Sequence, residues 1–484
     1  MKKLITVTGV VALLFCLGFV TSGYSGDAPV GGADDPVVPV SRDVDAGGVP
    51  LPGSMVRLPP GTGTATARAP AVDASRLTAK IGRNLDVVTL IDQLDEELVL
   101  HYLEDLVDFG PRVTESNACQ QAGQYIYDEF EKMGLDVRFH HWSLWGMSDR
   151  NVEATIHADG PSDEIYIVCA HYDAVSGSPG ADDNGSGSAL VLALAHVLSQ
   201  CTFENTVRFV TFSGEEQGLL GSFEYAEDAR NAGENIVAVL NADMVGNAPA
   251  PNDEKKMRIY DDSASSWITI FTDNVATQYM SQIDLDVIPS GQSWGSDHYA
   301  FQYYNFDAVF YHEWEFSSVY HSPQDTIANM NPYYNMKCAK LSLATLAELA
   351  GPFEMGPLYP DDYSLDAAAA DTIAFSLDAG SGYGSRSYLL CMGMSGTVPG
   401  TPLPGGFVTL PLNRDILANY CYGHVNNANF VDFSGTLDAN GQATAQFNTL
   451  GPLPPGYAGE DFWFAFACDG PWDYVSNPVF VKSR

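Results

Sequence analysis

Residues 164–198 read EIYIVCAHYDAVSGSPGADDNGSGSALVLALAHVL, and the order of their parts decides the fold. The apolar run Ile165 to Ala170 is short and bounded by polar residues, so it reads as a buried strand. It ends on His171-Tyr172-Asp173, passes through the tight Gly-rich turn Gly180-Ala181-Asp182-Asp183-Asn184-Gly185-Ser186-Gly187, and enters the helical stretch Ala189 to Leu198. Three further strand-like runs follow, Val207 to Phe212, Ile236 to Leu240 and Ala308 to Tyr311, and a second long helical stretch covers Met336 to Leu349. Apolar strands alternating with helices predict an α/β fold, a mostly parallel mixed sheet sandwiched by helices.

Upstream, helical spacing in Leu98, Val99, Tyr102, Leu103, Leu106 and Val107, and again in Tyr125, Ile126, Phe130 and Met133, places the start of this domain near Leu85. The α/β domain is expected to span residues 85–353. Residues 23–84 are rich in Gly, Pro, Ala, Asp and Val without apolar periodicity and read as a low-complexity linker or propeptide. Residues 1–22 open with Lys2-Lys3, run apolar from Leu4 to Val20 and turn small at Thr21-Ser22, the pattern of a secretory signal peptide. Downstream, residues 354–484 carry many Gly and Pro, short alternating runs and a hairpin-like turn at Asp438-Ala439-Asn440-Gly441. They predict an all-β, sandwich-like accessory domain.

The whole chain has 484 residues, with 61 Asp and Glu against 23 Lys and Arg, a formal charge of −38. It lacks the Lys/Arg clusters that nucleic acid binding needs to neutralise phosphates. No apolar run of about 18 residues follows the signal, so no membrane span is expected. The mature chain is expected outside the cell, secreted or periplasmic, as a monomer. Removing Cys16 leaves Cys119, Cys169, Cys201, Cys338, Cys391, Cys421 and Cys468. This odd set has no Cys-x-x-Cys pair, which argues against a cysteine zinc site and leaves one disulfide, such as Cys391 with Cys421, open.

Groups able to do chemistry follow the strand-like runs. His171 and Asp173 follow the first, with the Asp182-Asp183 turn behind them; Glu215-Glu216 follow the second, Asp243 the third, and His321 with Asp325 the fourth. In an open α/β sheet, sites form beyond the carboxyl ends of the strands. On an extended segment, residues two apart point the same way, so Asp173 is placed to orient the His171 imidazole. Neutral imidazoles and several carboxylates on one rim, with few Lys or Arg nearby, have no counter-charge except a metal, and this N/O mixture suits Zn²⁺.

These five motifs, in this order across about Leu85 to Gly351, resemble those of the secreted co-catalytic di-zinc aminopeptidases of the bacterial leucyl aminopeptidase type. The resemblance implies two Zn²⁺ per chain, with His171 and Asp243 on one, Glu216 and His321 on the other, and Asp183 bridging both. It implies Glu215 as general base for a metal-activated water, Asp173 as the partner of His171, and a cis peptide between Asp183 and Asn184. The implied activity is removal of N-terminal residues from peptide substrates. Aromatic residues crowded between Trp294 and Tyr320 add an expectation of large apolar side chains at the cleaved position.

Other readings compete. A carboxypeptidase or glutaminyl cyclase shares the scaffold, although the cyclase-like relatives use one zinc and all five ligand positions are filled here. Gly291-Gln292-Ser293-Trp294-Gly295 fits the elbow of a serine hydrolase using Ser293, but the triad histidine should come last in the chain, and His321 precedes Asp325. His101, His140, His141, His298 and His312 read as structural or surface residues.

Overall fold

The computed structural model describes residues 84–484. The signal peptide assigned to residues 1–22, and all but the last residue of the 23–84 segment, lie outside the described residues. Three helices come first: α1 (Leu85–Asp92), α2 (Glu96–Asp108) and α3 (Asn117–Lys132). Asp95 caps α2 by accepting the Leu98 N–H at 2.8 Å, and the stripe Leu98, Val99, Tyr102, Leu103 and Leu106 is buried as its spacing predicts. There follow β1 (Asp136–Leu144), β2 (Met147–Ile156), β3 (Glu164–His171), α4 (Gly187–Leu198), β4 (Cys201–Phe203), β5 (Thr206–Phe212), α5 (Leu220–Ala232) and β6 (Asn235–Ala242). Then come β7 (Lys256–Tyr260), α6 (Ser266–Gln278), β8 (Asp286–Pro289), α7 (His298–Tyr303), β9 (Ala308–Glu313) and α8 (Pro332–Leu349).

Eight of these strands form one sheet in the order β1-β2-β5-β3-β6-β9-β7-β8. Its centre, β5, β3, β6 and β9, is parallel throughout, while β1 with β2, β2 with β5 and β7 with β9 pair antiparallel. The four runs read as strands are these four central ones, because parallel strands covered on both faces appear as continuous apolar stretches. The β1–β2 hairpin is not legible that way: β1 alternates exposed and covered residues and carries Asp136, Arg138, His140 and His141. Helix α4 is buried at every position and packs on β3, α2 and α8. Helix α8 begins four residues before the apolar stretch, at Pro332, because Asn331 accepts the Tyr334 N–H at 3.1 Å and proline suits the first turn.

The strand β10 (Phe353–Met355) pairs antiparallel with β4. Beyond it lie a four-stranded sheet containing Thr372–Asp378 and Gln442–Asn448, and a second sheet containing Ser387–Gly393, Asp461–Cys468 and Val479–Ser483. Along Asp461–Cys468, Phe462, Phe464 and Phe466 share a core with Phe375 and Phe447, whereas Trp463, Ala465 and Ala467 join the core of the α/β region. Phe480 stacks on His196 of α4 with ring centroids 4.2 Å apart, and buried Lys482 pairs with Glu129 of α3 at 3.0 Å. A buried seam therefore joins the β-rich part to the α/β part.

One sequence expectation is corrected here. The turn at Asp438–Gly441 forms, with the Gly441 N–H donating to Asp438 O at 3.2 Å, but its flanking strands, Ser434–Thr436 and Gln442–Asn448, belong to different sheets. It is a crossing between sheets rather than a hairpin. Gly441 is needed there, since its φ is +89° and a Cβ would stand 2.0 Å from Gly380 O. The described cysteines are all unpaired, Cys391 and Cys421 included. Among the described residues, no helix is long and apolar enough to cross a membrane.

The seam makes stability pH-dependent. Burial, then the Lys482 charge, lowers the His196 imidazole from the ordinary 6.5 to about 3, and its ring nitrogens bond Phe480 O at 3.0 Å and Tyr102 Oη at 2.9 Å. The unfolded chain binds this proton below about 6.5 and the folded chain does not, so stability present above 6.5 is lost as pH falls toward 3. Urea midpoints measured between pH 4 and 7 are expected to fall less steeply in His196→Gln than in the parent.

Candidate metal centre

The central strands end at the residues singled out above. His171 is the last residue of β3 and Asp173 lies just beyond it; Glu215 and Glu216 follow β5, Asp243 follows β6, and His321 stands in the loop after β9. Asp183 sits in the turn Ala181–Ser186 ahead of α4, where the Asp183–Asn184 peptide is cis.

Two groups of donors result. His171 Nε2 lies 3.4 Å from Asp183 Oδ1 and 3.5 Å from Asp243 Oδ1. His321 Nε2 lies 3.0 Å from Asp183 Oδ2 and 3.1 Å from Glu216 Oε2. The two oxygens of Asp183 thus face different groups, and Glu215 stands with His171 and Glu216 in a third. Its neighbour Asp182 faces elsewhere, accepting the Gly246 N–H at 2.9 Å.

These residues fit a bound cation. His171 Nε2, Asp183 Oδ2 and Glu216 Oε1 are buried yet make no properly directed hydrogen bond. Buried polar atoms are normally satisfied, and lone pairs that converge without a proton between them repel. Two ligands of a tetrahedral zinc, each about 2.0–2.2 Å from it, stand about 3.3–3.6 Å apart. The separations around His171 match that, and those around His321 are slightly shorter.

The electrostatics agree. Burial pushes the Glu215 carboxyl well above the usual range, against the pull of His171 and with the help of Glu216 and Asp243. Burial, then Asp183, lifts Glu216 to about 7. Burial would also raise Asp183, but the two imidazoles outweigh it and hold that carboxyl below its ordinary value. Against its own burial, His321 is raised to about 10 by Asp183 and Glu216. Without a cation the rim is a set of carboxyls and imidazoles competing for protons, which metal binding displaces.

Asp173 stands beside His171 and is shared with the chain after β5. Its backbone oxygen is 3.2 Å from His171 Nδ1 and its carboxylate 3.6 Å. The carboxylate also accepts the backbone N–H groups of Glu215 and Glu216, each at 3.3 Å, and the Thr114 hydroxyl at 2.8 Å.

Three further residues support the rim. Arg112 is fully buried and donates to the carbonyls of Leu106, Tyr172, Pro179 and Gly180 at 2.7–3.2 Å. Asp325 accepts the backbone N–H groups of Asp182 at 2.8 Å and Asp183 at 3.2 Å. Ser296 donates to Asp243 Oδ2 at 2.6 Å and accepts from Asn241 at 2.7 Å. Of these only Asp325 carried a signal, its place four residues after His321. His298 and His312 contact backbone carbonyls, of Ser293 at 3.0 Å and Asp243 at 2.9 Å, as structural histidines do. Ser293 lies in a loop, since β8 ends at Pro289 and α7 starts at His298, and its hydroxyl contacts the Gly295 amide at 3.2 Å rather than a base.

Residues 151–346, from within β2 to within α8, match the profile of peptidase family M28. Over that stretch the chain is similar to the family. Similar curated proteins are a probable leucine aminopeptidase of Arthroderma otae, 29% identical over 289 residues, covering 56% of this chain and 78% of the relative. Leucine aminopeptidase 1 of Paracoccidioides brasiliensis is 26% identical over 302 residues, covering 56% and 75%. Among solved structures, LapB from Legionella pneumophila shares the fold, with a TM-score of 0.52, 23% identity and coverage of 58% of this chain and 82% of that one. With this similarity and this donor set, the chain is a zinc-dependent peptide hydrolase.

The rim rests on Arg112, and breaking that support has a measurable cost. Arg112→Met leaves four carbonyls, three of them buried, without their donor. A loss of at least about 3 kcal/mol is expected from such groups, read as a lower urea midpoint at unchanged m-value.

Proposed function

We propose that the chain is a secreted aminopeptidase that removes single residues, preferably large and apolar, from the N-termini of peptides, using two zinc ions. The observation that carries the proposal is Asp183, whose two carboxylate oxygens face separate donor groups. His171 and Asp243 would hold one ion, Glu216 and His321 the other, and Asp183 both. Bound there, zinc supplies Lewis acidity that polarises a carbonyl and lets water lose a proton near neutral pH.

The chain's own residues do the rest. Glu215 lies outside the two groups that share Asp183, yet within reach of His171 and Glu216. It takes the water's proton and later delivers it to the leaving amine. Asp173, itself held by the Thr114 hydroxyl, holds the backbone from which Glu215 and Glu216 project, so the base does not drift from the donors. Arg112 is fully buried and committed to four carbonyls, so it is not available to meet the C-terminal carboxylate of a substrate. That disfavours a carboxypeptidase. The apolar preference is supported by rings in series, Phe310, His312, Phe316 and Tyr320, with Tyr320 stacked 3.7 Å from His321. Secretion is supported by the pattern of residues 1–22, and the N-terminal specificity by the names of the fungal relatives.

Turnover of leucyl, glutamyl and N-acetyl-leucyl anilides tests the proposal. Leucyl substrates are expected to be cleaved fastest and the N-acetylated ones not at all, while Glu215→Gln retains zinc and loses about 10²–10⁴-fold in kcat. Equal rates on free and N-acetylated substrates would refute the aminopeptidase assignment. A fully active Glu215→Gln variant would refute the role of Glu215.

A further inference from the structure

The β-rich part contains a cavity of about 390 Å³ that the peptidase reaction does not use. It lies among the strand pair Thr401–Pro402 and Thr409–Leu410, the helix Ile416–Gly423, and Leu389, Cys391 and Ala467 on the sheet beneath. Its lining is chiefly apolar, with Leu389, Leu403, Leu410, Leu412 and Trp472 prominent. This volume and lining are those of a small-ligand site. Large apolar side chains are also left in water on the elements that line it: Tyr422 of the lining is 69% exposed, Ile416 at the start of the helix 88%, and Phe407 in the turn of the strand pair 68%. Exposed apolar groups gathered around an apolar cavity mark a binding surface rather than chance.

The polar groups narrow the ligand. Thr401 donates its hydroxyl to Leu412 O at 2.7 Å. The Asn413 amide donates to Ser395 O at 2.6 Å and Val398 O at 2.8 Å, and accepts the Gly400 N–H at 3.0 Å. Asn419 donates to Asp415 O and accepts from Arg414 Nε, both at 2.7 Å. The neighbouring Asp415 carboxylate accepts three backbone N–H groups, from Met394, Ser395 and Ala418. Arg414 is the charged residue of the lining, and its terminal guanidinium nitrogens remain for a ligand. It stands out in residues 354–484, which hold 13 acidic and 4 basic residues. A peptide lying in this cavity would leave its own amides unpaired against the apolar wall, which is costly. A ligand with one anionic end and an apolar body leaves none.

We propose that this cavity binds a single-chain apolar carboxylate of the fatty-acid kind, with its carboxylate on Arg414 and its chain over Leu403, Leu410 and Leu412. Arginine suits that role because its planar fork pairs a carboxylate through two hydrogen bonds. The site is independent of the peptidase reading, since none of its residues belongs to the metal centre.

Calorimetric titration of the zinc-loaded full-length chain with octanoate, decanoate and dodecanoate, below their micelle concentrations, tests the proposal. One site per chain is expected, with affinity rising roughly fourfold for each methylene added until the cavity is full. Arg414→Gln is expected to weaken dodecanoate at least about tenfold and to leave dodecanol unchanged. Ala418→Trp, which fills the cavity from the helix, should abolish binding of both while anilide turnover is kept. Absence of saturable binding, an affinity indifferent to chain length and to Arg414, or tighter binding of an apolar tripeptide than of dodecanoate would each overturn it.

Discussion

Asp183, Glu215, Glu216 and Asp243 converge with two imidazoles where four parallel strands end, and His171, Asp183 and Asp243 are shut away from water. Desolvation and mutual repulsion both disfavour ionised carboxyls in such a place, and the upward shifts of Glu215 and Glu216 record that strain. Only a cation relieves it without giving up the charges. Much of the surrounding structure is a device for holding the donors still against that repulsion. Arg112 ties the loop before Asp183 to α2 through the carbonyls of Tyr172, Pro179 and Gly180 on one side and Leu106 on the other, Asp325 grips the amides of Asp182 and Asp183, and Asp173 grips those of Glu215 and Glu216. Each bond holds main chain, so the metal-facing carboxylates are fixed by the backbone they stand on.

That arrangement explains what is legible in the sequence. The fold class is readable because β3, β5, β6 and β9 are parallel and covered on both faces, so their apolar runs stand out. The candidate donors are readable because each lies in the few residues after such a run, where α/β sheets build sites. The β1–β2 hairpin is not, since an edge strand with Asp136, Arg138, His140 and His141 has the composition of a loop. Neither is Arg112. Its work is done on carbonyl oxygens 60 or more residues away in most cases, and carbonyls carry no sequence signature. Asp173 shows a finer limit: its position is legible, but its partners depend on how the chain turns after His171.

The β-rich part is more than an appendage in this fold. Strand Asp461–Cys468 feeds alternate residues to two cores, its own and that of the α/β region, and Phe480 and Lys482 bury contacts with α4 and α3. A composition shift near residue 353 marks a change of architecture without revealing this seam, because the contacts join residues hundreds of positions apart. The metal centre therefore sits on a sheet whose covering helices are themselves braced by the sandwich.

The central claim is that one carboxylate, Asp183, serves two zinc ions. Zinc content per chain, measured by mass spectrometry of the protein after saturation and removal of free metal, tests it most directly. Two zinc ions per chain in the parent and a loss of both in Asp183→Ala are the predicted result. A single zinc in the saturated parent, or a variant that still holds two, would contradict it.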